Sequence, residues 1–283
     1  MYKKIILALS LFFIPYLITT LFHRDIQVLP IERVDRETLY IVGTTMGQMP
    51  VTYEKEALKA QMVLVQTSYY KRKGEGMSVS ECMEDTDYIS MEEAENIWGR
   101  EQAMEYYENL TLYYEEIKGV TATYQDAYIE PVYHRLSAGA TRPGETTLGE
   151  VYGYLQSAAS RMDIESKAYL HTKKLSYEEL TNALSTHISK GSLWIVHSDE
   201  VGYVDKISVN NKEMTGEEFR KKCQLNSANF TMLENEVGVV FTIKGEGHGY
   251  GLSQYGANRM AAEGKSYEEI LKYYFSNIEL HSV

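Results

Sequence analysis

The spacing of apolar residues predicts a long helix early in the chain. From about Tyr53 to Lys73 apolar side chains recur at steps of three and four residues, which is the helical period. Thr52 is expected to cap this helix and Gly74 to end it. Residues 92–118 are rich in Tyr and Glu and predict one or two further helices. This part of the chain is therefore expected to be largely helical.

Helices are also expected in the second half of the chain. Ser176 is followed three residues later by Glu179, the spacing of a capping box, so a helix is expected at 176–185. Residues 216–223 should form another helix, and residues 252–275 a final helix or helix pair.

Strands are expected between these helices, where β-branched and aromatic residues cluster. The runs lie at 39–42, 121–132, 193–197, 202–209 and 236–244. Strands and helices mix without a strict alternation, which favours the α+β class. We see no linker that divides the folded part, so a single mixed domain with a central groove between two lobes is expected.

The N-terminus has the pattern of a membrane anchor. Two lysines precede an apolar run without charges, Ile5–Phe22, which is just long enough to cross a bilayer. We therefore expect a signal-anchor at 1–23, a juxtamembrane spacer at 24–38 and the working domain at 39–283. The lysines would keep the N-terminus in the cytoplasm and place the domain outside the cell membrane. A cleaved signal peptide is the alternative, and it leads to the same side of the membrane.

Composition narrows the classes of function. The 283 residues carry a formal charge of −12, so a nucleic-acid binder, which needs a basic face, is not expected. An apolar fraction of 44% is typical of a folded globular protein. The two cysteines, Cys82 and Cys223, cannot form a four-cysteine zinc site. They form either one bridge or two buried thiols.

Glu56, in the first turns of the long helix, is a candidate acid. The helix dipole favours the charged form of a carboxyl group there, and Lys59 would favour it too. A general acid must instead hold its proton, which requires burial or a nearby negative charge. A solvated surface glutamate is the simpler interpretation of the residue taken alone.

The glycine-rich segment 245–257 is the densest candidate for ligand binding. Glycines at alternate positions let a ligand approach the backbone closely, although a bulged turn between a strand and a helix would also need them. Several side chains with hydrogen-bonding groups suit a saccharide with many hydroxyl groups: His248, Ser253, Gln254 and Tyr255.

A third polar cluster spans residues 133–141. His134 could be a ligand, a base or an ordinary hydrogen-bonded histidine. The sequence contains no HExxH, CxxC or Gly-x-Ser-x-Gly pattern, so a zinc protease or a serine hydrolase has no local support.

Together these segments resemble the stage II sporulation protein D family, the SpoIID/LytB domain. The matching motifs follow one order over residues 40–280: Glu56-Ala-Leu-Lys-Ala-Gln61, Tyr133-His134 through Thr141, Phe219 through Phe230, Gly245 through Ala257, and the tail Gly264 through Tyr274. The family's Arg and Tyr after the first motif are replaced by Gln66 and Ser68, for which Tyr69 or Tyr70 would partly substitute.

The resemblance implies a membrane-anchored lytic transglycosylase of peptidoglycan, active during endospore engulfment. Such enzymes cut the bond between N-acetylmuramic acid and N-acetylglucosamine and prefer glycan strands stripped of stem peptides. Glu56 maps onto the catalytic acid, and no metal or cofactor is expected. The implied partners are a SpoIIP-like amidase and a SpoIIM-like membrane protein.

Residues in and near the three motifs are expected to shape the sugar groove. They are Lys59, Gln61, Tyr69, His134, Ser137, Gly139, Thr141, His248, Gly249, Ser253, Gln254 and Tyr255. In the expected mechanism Glu56 protonates the glycosidic oxygen, and its carboxylate then takes the proton of the sugar's own C6 hydroxyl. This closes a 1,6-anhydro ring without water.

Two other functions remain open. Since LytB-like relatives modify amidases, the chain could bind peptidoglycan and act on an amidase without cutting glycan. It could instead be a metal-dependent hydrolase centred on His134 and His248. A zinc site built with cysteine near His134 is excluded, because residues 83–222 contain no cysteine.

Overall fold

The computed structural model describes residues 34–84 and 86–282. The predicted anchor at 1–23, and the predicted spacer up to residue 33, lie outside the described residues. Within the described part no helix combines the length and the apolar character that a membrane span requires. The last residues of the predicted spacer belong to the first helix, which begins at Arg36.

The structure is a mixture of helices and small sheets. The helices are α1 Arg36–Gln48, α2 Lys55–Gly74, α3 Val79–Glu84, α4 Met91–Trp98, α5 Arg100–Glu115, α6 Glu145–Leu148, α7 Tyr177–Leu184, α8 Gly216–Lys222, α9 Gln254–Ala262 and α10 Tyr267–Tyr274. The strands are β1 Val120–Tyr124, β2 Ala127–Tyr128, β3 Tyr133–His134, β4 Leu170–Ser176, β5 Leu193–Ser198, β6 Val204–Val209, β7 Lys212–Thr215, β8 Phe230–Glu234, β9 Gly238–Lys244, β10 Leu252–Ser253 and β11 Glu279–Ser282. The fold class is therefore α+β, as predicted, while the two-lobed shape stays a prediction.

Helix α2 is the centre of the first half of the domain. Its residues are buried without interruption from Ala57 to Thr67, so it packs on more than one side. The predicted helix is confirmed, but it begins after Glu54 and not after Thr52. Glu54 makes no side-chain cap, and its backbone N–H donates to the side chain of Asn258, 2.7 Å away. Helix α9 thus holds the start of α2.

The strand predicted at 39–42 is wrong, because these residues lie in α1. A short run of apolar residues fits a buried helix as well as a strand. Helix α1 is buried without interruption from Tyr40 to Met46, so consecutive apolar residues are accommodated there in a helix too.

Four small sheets make up the strand content of the described residues. Strand β1 pairs antiparallel with both β11 and β2, and β3 pairs parallel with β10. The other two sheets are antiparallel, in the orders β4-β9-β8 and β5-β6-β7.

One hydrophobic core joins β4 to β9 with helices α7 and α8. Three phenylalanine rings, Phe219, Phe230 and Phe241, lie at its centre with centroids 5.6–5.8 Å apart. Fully buried aromatic side chains of this size contribute about 1.5–3 kcal/mol each by leaving water. This core carries the strand that leads into the glycine-rich segment.

Candidate functional site

A two-residue parallel ladder joins the segment 133–141 to the glycine-rich segment 245–257. We call these segments the two glycine-bearing motifs. Leu252 pairs with Tyr133, and Ser253 pairs with His134. A second contact joins Leu136 to Glu246, with backbone hydrogen bonds of 3.1 and 2.8 Å in the two directions. Segments more than a hundred residues apart in sequence therefore lie side by side.

Close packing explains two of the glycines in the segment 245–251. At Gly251, where φ is +68°, a Cβ would lie 2.0 Å from the carbonyl oxygen of Val132. At Gly249, where φ is +84°, a Cβ would lie 2.4 Å from the ring of Tyr203. Protein atoms occupy the space that these glycines leave, so the structural reason for glycine holds at both positions.

The imidazole rings of His134, in β3, and His248 lie close together, and both are uncharged. Their ring centroids are 5.8 Å apart, and Nδ1 of His134 lies 3.0 Å from the carbonyl oxygen of Tyr250. Burial, with His248 as a further cause, lowers the pKa of His134 to about 3. Burial also lowers the pKa of His248. Both rings are therefore uncharged at neutral pH.

The metal-hydrolase alternative gains no support from this pair. Nε2 of His134 is buried and has no hydrogen-bond partner. Within the residues that the structure describes, no three side chains of His, Cys, Asp or Glu are grouped so that they could hold a metal ion.

A buried carboxylate, Asp163, connects the two glycine-bearing motifs to a short turn at Arg161–Glu165. Its Oδ2 accepts hydrogen bonds from the backbone N–H of Ser137 and from Oγ of Ser253, both at 2.8 Å. Burial raises the pKa of Asp163, and these hydrogen bonds oppose the rise. Sequence reasoning missed this residue because it lies in a short 3₁₀ turn, Arg161–Glu165, that carries no motif.

Glu56 lies at the start of α2, in contact with the C-terminal part of the chain. Its side chain is 28% exposed. One carboxylate oxygen accepts a hydrogen bond from Nζ of Lys59 at 2.9 Å, and the other accepts from the backbone N–H of Tyr267 at 2.8 Å. That N–H belongs to the first residue of α10 and has no acceptor within its own helix. Glu56 thus anchors α10 to α2.

Lys59 links Glu56 to a second carboxylate. Its Nζ lies 3.3 Å from Glu116, 2.9 Å from Glu56 and 4.8 Å from the centre of the Tyr267 ring. The side chain of Lys59 is only 9% exposed, so the ammonium is enclosed by these three groups. Burial raises the pKa of Tyr267 to about 12, with the negative charge of Glu268 as a further cause.

No direct hydrogen bond joins Glu56 to the glycine-rich segment among the described residues. The two are connected through helices, since Glu54 binds Asn258 of α9 and Gln61 of α2 meets Gln254. Nε2 of Gln254 donates to the backbone carbonyl of Gln48 at 2.8 Å and lies 3.4 Å from Oε1 of Gln61. Nε2 of Gln61 in turn donates to Oε1 of Gln48 at 2.9 Å. We call Gln48, Gln61 and Gln254 the glutamine chain.

The remaining residues predicted to shape the sugar groove bind mainly to the protein itself. Tyr69 is buried against Tyr40, with ring centroids 5.4 Å apart. Thr141 is buried, and its Oγ1 accepts the N–H of Ala158 at 2.9 Å. The backbone N–H of Gly139 donates to Ser137 at 3.1 Å, and that of Tyr255 to the carbonyl of Arg135 at 3.1 Å. Their contact with sugar stays a prediction.

The two positions that depart from the family pattern have different surroundings. Gln66 is fully buried, and its amide binds backbone groups of Ile117, Gly119 and Val120. Ser68 is half-buried and lines a small polar cavity of about 190 Å³. Gln66 therefore holds the turn before β1.

Comparison with known proteins gives a consistent picture. No protein-family model matches the chain. Proteins named stage II sporulation protein D, from Bacillus amyloliquefaciens and from Bacillus subtilis (strain 168), are each 29% identical over 91% of this chain and 76% of their own length. The amidase enhancer of Bacillus subtilis (strain 168) is 24% identical over 85% of this chain and 40% of its own length.

The two proteins named stage II sporulation protein D thus match nearly the whole chain. Because this similarity extends over 91% of the chain, the resemblance inferred from the residues is confirmed: the chain is a relative of stage II sporulation protein D.

Proposed function

We propose that the protein is a membrane-anchored lytic transglycosylase that cuts peptidoglycan glycan strands during sporulation. The proposal extends what the names of the relatives say, namely a role in sporulation. The observation that carries it is the setting of Glu56, a partly exposed carboxylate held at the start of α2. Its substrate is the linkage between N-acetylmuramic acid and N-acetylglucosamine, in strands without stem peptides.

Protonation of Glu56 has to displace one of its two donors. Lys59 and the amide of Tyr267 each occupy one carboxylate oxygen, and a carboxylic acid needs one of these oxygens for its own proton. The ammonium of Lys59 has a second carboxylate, Glu116, within 3.3 Å, whereas the amide has no other acceptor in its helix. Lys59 is therefore the group that moves when the acid form is made.

The chemistry then needs one carboxyl group. Hydrolases of glycosides mostly use two, because one of them activates water or acts as nucleophile. Here protonated Glu56 gives its proton to the glycosidic oxygen, and the bond from C1 of the muramoyl unit to that oxygen breaks. The resulting carboxylate takes the proton of the C6 hydroxyl, whose oxygen bonds to C1 of the same sugar. An internal nucleophile gains from proximity, by about 7–11 kcal/mol in favourable cases.

Product analysis tests this activity directly. Full-length protein is incubated with denuded glycan strands, and 1,6-anhydromuramoyl ends are counted by mass spectrometry. We expect such ends from the wild type and a loss of at least about a hundredfold with Glu56→Gln, a range typical of general acid catalysis. The matched control is Glu54→Gln, because Glu54 lies beside Glu56 but makes no side-chain cap. Equal product from wild type and Glu56→Gln would refute the assignment of the acid.

A second function is supported by the similarity to the amidase enhancer. As an amidase enhancer, the protein would bind glycan and stimulate a SpoIIP-like amidase without cutting the strand. The amidase enhancer named among the relatives supports this alternative at 24% identity. Amidase stimulation together with an absence of anhydro ends from wild-type protein would favour it over the transglycosylase.

The location and the membrane partner belong to the same proposal. Residues 1–23 anchor the protein in the cell membrane with the N-terminus in the cytoplasm, and a SpoIIM-like protein lies beside them. Protease added to intact cells should then degrade the domain from outside.

A further inference from the structure

Glu116, at the end of α5, shares the ammonium of Lys59 with Glu56. Nζ of Lys59 lies 2.9 Å from an oxygen of Glu56 and 3.3 Å from an oxygen of Glu116. These two contacts place the carboxylate oxygens within about 6 Å of each other. A like charge at this distance disfavours the charged form of a carboxyl group. The charge of Glu116 therefore favours the protonated form of Glu56, which a general acid requires.

A second lysine holds the carboxylate of Glu116 in place. Nζ of Lys55 lies 2.6 Å from the other oxygen of Glu116. The hydrogen bond from Lys55 is the main cause that lowers the pKa of Glu116, and Lys59 lowers this pKa further, while burial opposes the shift. Glu116 therefore keeps its negative charge at every pH above its ordinary pKa of about 4.5.

The backbone at Glu116 is fixed by buried neighbours. Glu116 is the residue that caps the C-terminus of α5, and Ile117, which follows it, is buried. The buried amide of Gln66 binds backbone groups of Ile117 and Gly119. The side chain of Glu116 is nevertheless 46% exposed, so it is not part of the core. A half-exposed carboxylate on a fixed backbone is suited to act through its charge.

Lys59 has few acceptors to choose from. In the part of the chain that the structure describes, Glu56 and Glu116 are the only carboxylates within 4 Å of its ammonium. Glu268, on α10, instead accepts a hydrogen bond from the hydroxyl of Tyr267 at 3.2 Å. The titratable groups that surround Glu56 come from three elements, and they are Lys55 and Lys59 of α2, Tyr113 and Glu116 of α5 and its cap, and Tyr267 and Glu268 of α10.

We infer that Glu116 is a positioning residue that allows Glu56 to hold a proton. When a hydronium ion gives its proton to Glu56, the ammonium of Lys59 moves its hydrogen bond from Glu56 to Glu116. Without Glu116, an ammonium on a side chain that is only 9% exposed would lose its counterion, and an unpaired buried charge is costly. The inference rests on the proposed function, because it names the group that prepares the acid.

The pH dependence of cutting tests this role. Glu116→Gln removes both the like charge and the second acceptor, so Lys59 binds Glu56 alone and the acid form is confined to lower pH. We expect the formation of anhydro ends from denuded glycan at pH 7 to fall about tenfold, and the alkaline limb of kcat/KM to move about one pH unit lower. Activity should be regained as the pH is lowered. A loss by the same factor at every pH would leave Glu116 a merely structural role and overturn the inference.

Glu115→Gln is the matched control. It removes the same charge one position earlier, from a side chain that is 49% exposed and is paired with Lys118 at 3.5 Å. The pH profile of this variant should coincide with that of the wild type. An equal shift of the profile in Glu115→Gln and Glu116→Gln would show an effect of net charge alone and would overturn the inference.

NMR separates the inference from the proposed enzyme. In full-length protein labelled with carbon-13 at the glutamate carboxyls, the signal of Glu56 is the one that disappears in Glu56→Gln. The midpoint of its pH titration should be about one unit lower in Glu116→Gln than in the wild type, and unchanged in Glu115→Gln. A lower midpoint in Glu116→Gln, with no anhydro ends from the wild type, would retain the coupling and refute the enzyme. Normal cutting with equal midpoints in all three proteins would retain the enzyme and overturn the role of Glu116.

Discussion

Gln66 and Asp163 illustrate how polar side chains hold this fold from inside. The oxygen of Gln66 accepts from the hydroxyl of Tyr114 at 2.6 Å and from the N–H of Gly119 at 3.0 Å, and its nitrogen binds the carbonyl of Val120. Buried polar groups that lose such partners cost about 1–3 kcal/mol each. Both side chains are fully buried and act through the groups that they hold in place.

Replacement of Gln66 by an apolar side chain should be strongly destabilising. Gln66→Leu removes the amide partner of the N–H of Gly119 and of the carbonyl of Val120, so the free energy of unfolding should fall by about 2–4 kcal/mol. Urea denaturation measures it. Ser68→Ala, two positions away and half-buried, should change it by about 0.5 kcal/mol or less. A similar effect of both variants would show that the amide contacts contribute little.

The buried neutral histidine should make the fold sensitive to acid. The pKa of His134 is about 3 in the folded protein, below the ordinary value of about 6.5 that applies to the unfolded chain. The unfolded chain therefore binds an additional proton between these values, so stability is present above pH 6.5 and is lost as the pH falls. The slope from this residue approaches about 1.4 kcal/mol per pH unit.

His134→Asn tests this sensitivity, because its amide can still donate to the carbonyl of Tyr250. Urea denaturation at several pH values should give a shallower fall below pH 6.5 for the variant than for the wild type. At pH 8 the histidine is neutral in both states, so the difference there reports only packing. Parallel curves over the acid range would contradict a neutral His134.

At the scale of elements, the glycine-rich segment depends on contact between two backbones. Gly251 lets β10 lie against the chain that leads into β3, where the carbonyl of Val132 fills the place of a side chain. The parallel ladder therefore tolerates no Cβ at this point.

Gly251→Ala should separate β10 from β3. A Cβ 2.0 Å from a carbonyl oxygen cannot be accommodated without backbone movement, and φ of +68° adds strain, so we expect a loss of about 3 kcal/mol or more. Thermal unfolding measures it. Gly74→Ala is the control, since no atom lies near its Cβ and alanine favours helix, so it should be neutral or stabilising by up to about 1 kcal/mol. Equal melting temperatures for the two variants would contradict the role of Gly251.

Helices with capping signals were predictable from sequence, while several strands were not. The capping box at Ser176 and Glu179 is present in the structure, with bonds of 2.7–3.2 Å. Strand β4 escaped prediction because none of its residues is buried, and β8 because it is short and has only one buried residue, Phe230. The run 39–42 was predicted as a strand because its length and apolar character do not distinguish the two structures.

At the scale of the whole molecule, the motifs could be recognised in the sequence, but the contacts between them could not be predicted from it. The sequence identified Glu56 and both glycine-bearing motifs as candidates, and the pairing of β3 with β10 joins the two glycine-bearing motifs. Asp163 and Gln48 were not identified from the sequence, because their roles depend on residues that only the fold brings together. Gln61 and Gln254 were identified as candidates, but the contact between them was not predicted.

The cysteines permit a test of the fold as a whole. Cys82 and Cys223 are both free and buried, and burial raises the pKa of Cys223 to about 12. Folded protein should therefore react slowly with a thiol reagent such as Ellman's reagent, and protein unfolded in guanidinium without reductant should release two equivalents at once. No reactive thiol in the unfolded protein would mean that the two cysteines are bridged.

The contact between α10 and α2 joins residues from the two ends of the described chain. Glu56 in α2 accepts a hydrogen bond from the amide of Tyr267, and β1 pairs with β11. These contacts can form only after residues near 282 have been synthesised. In a nascent polypeptide the carboxylate of Glu56 therefore lacks the hydrogen bond from the amide of Tyr267 until the end of the chain has been made.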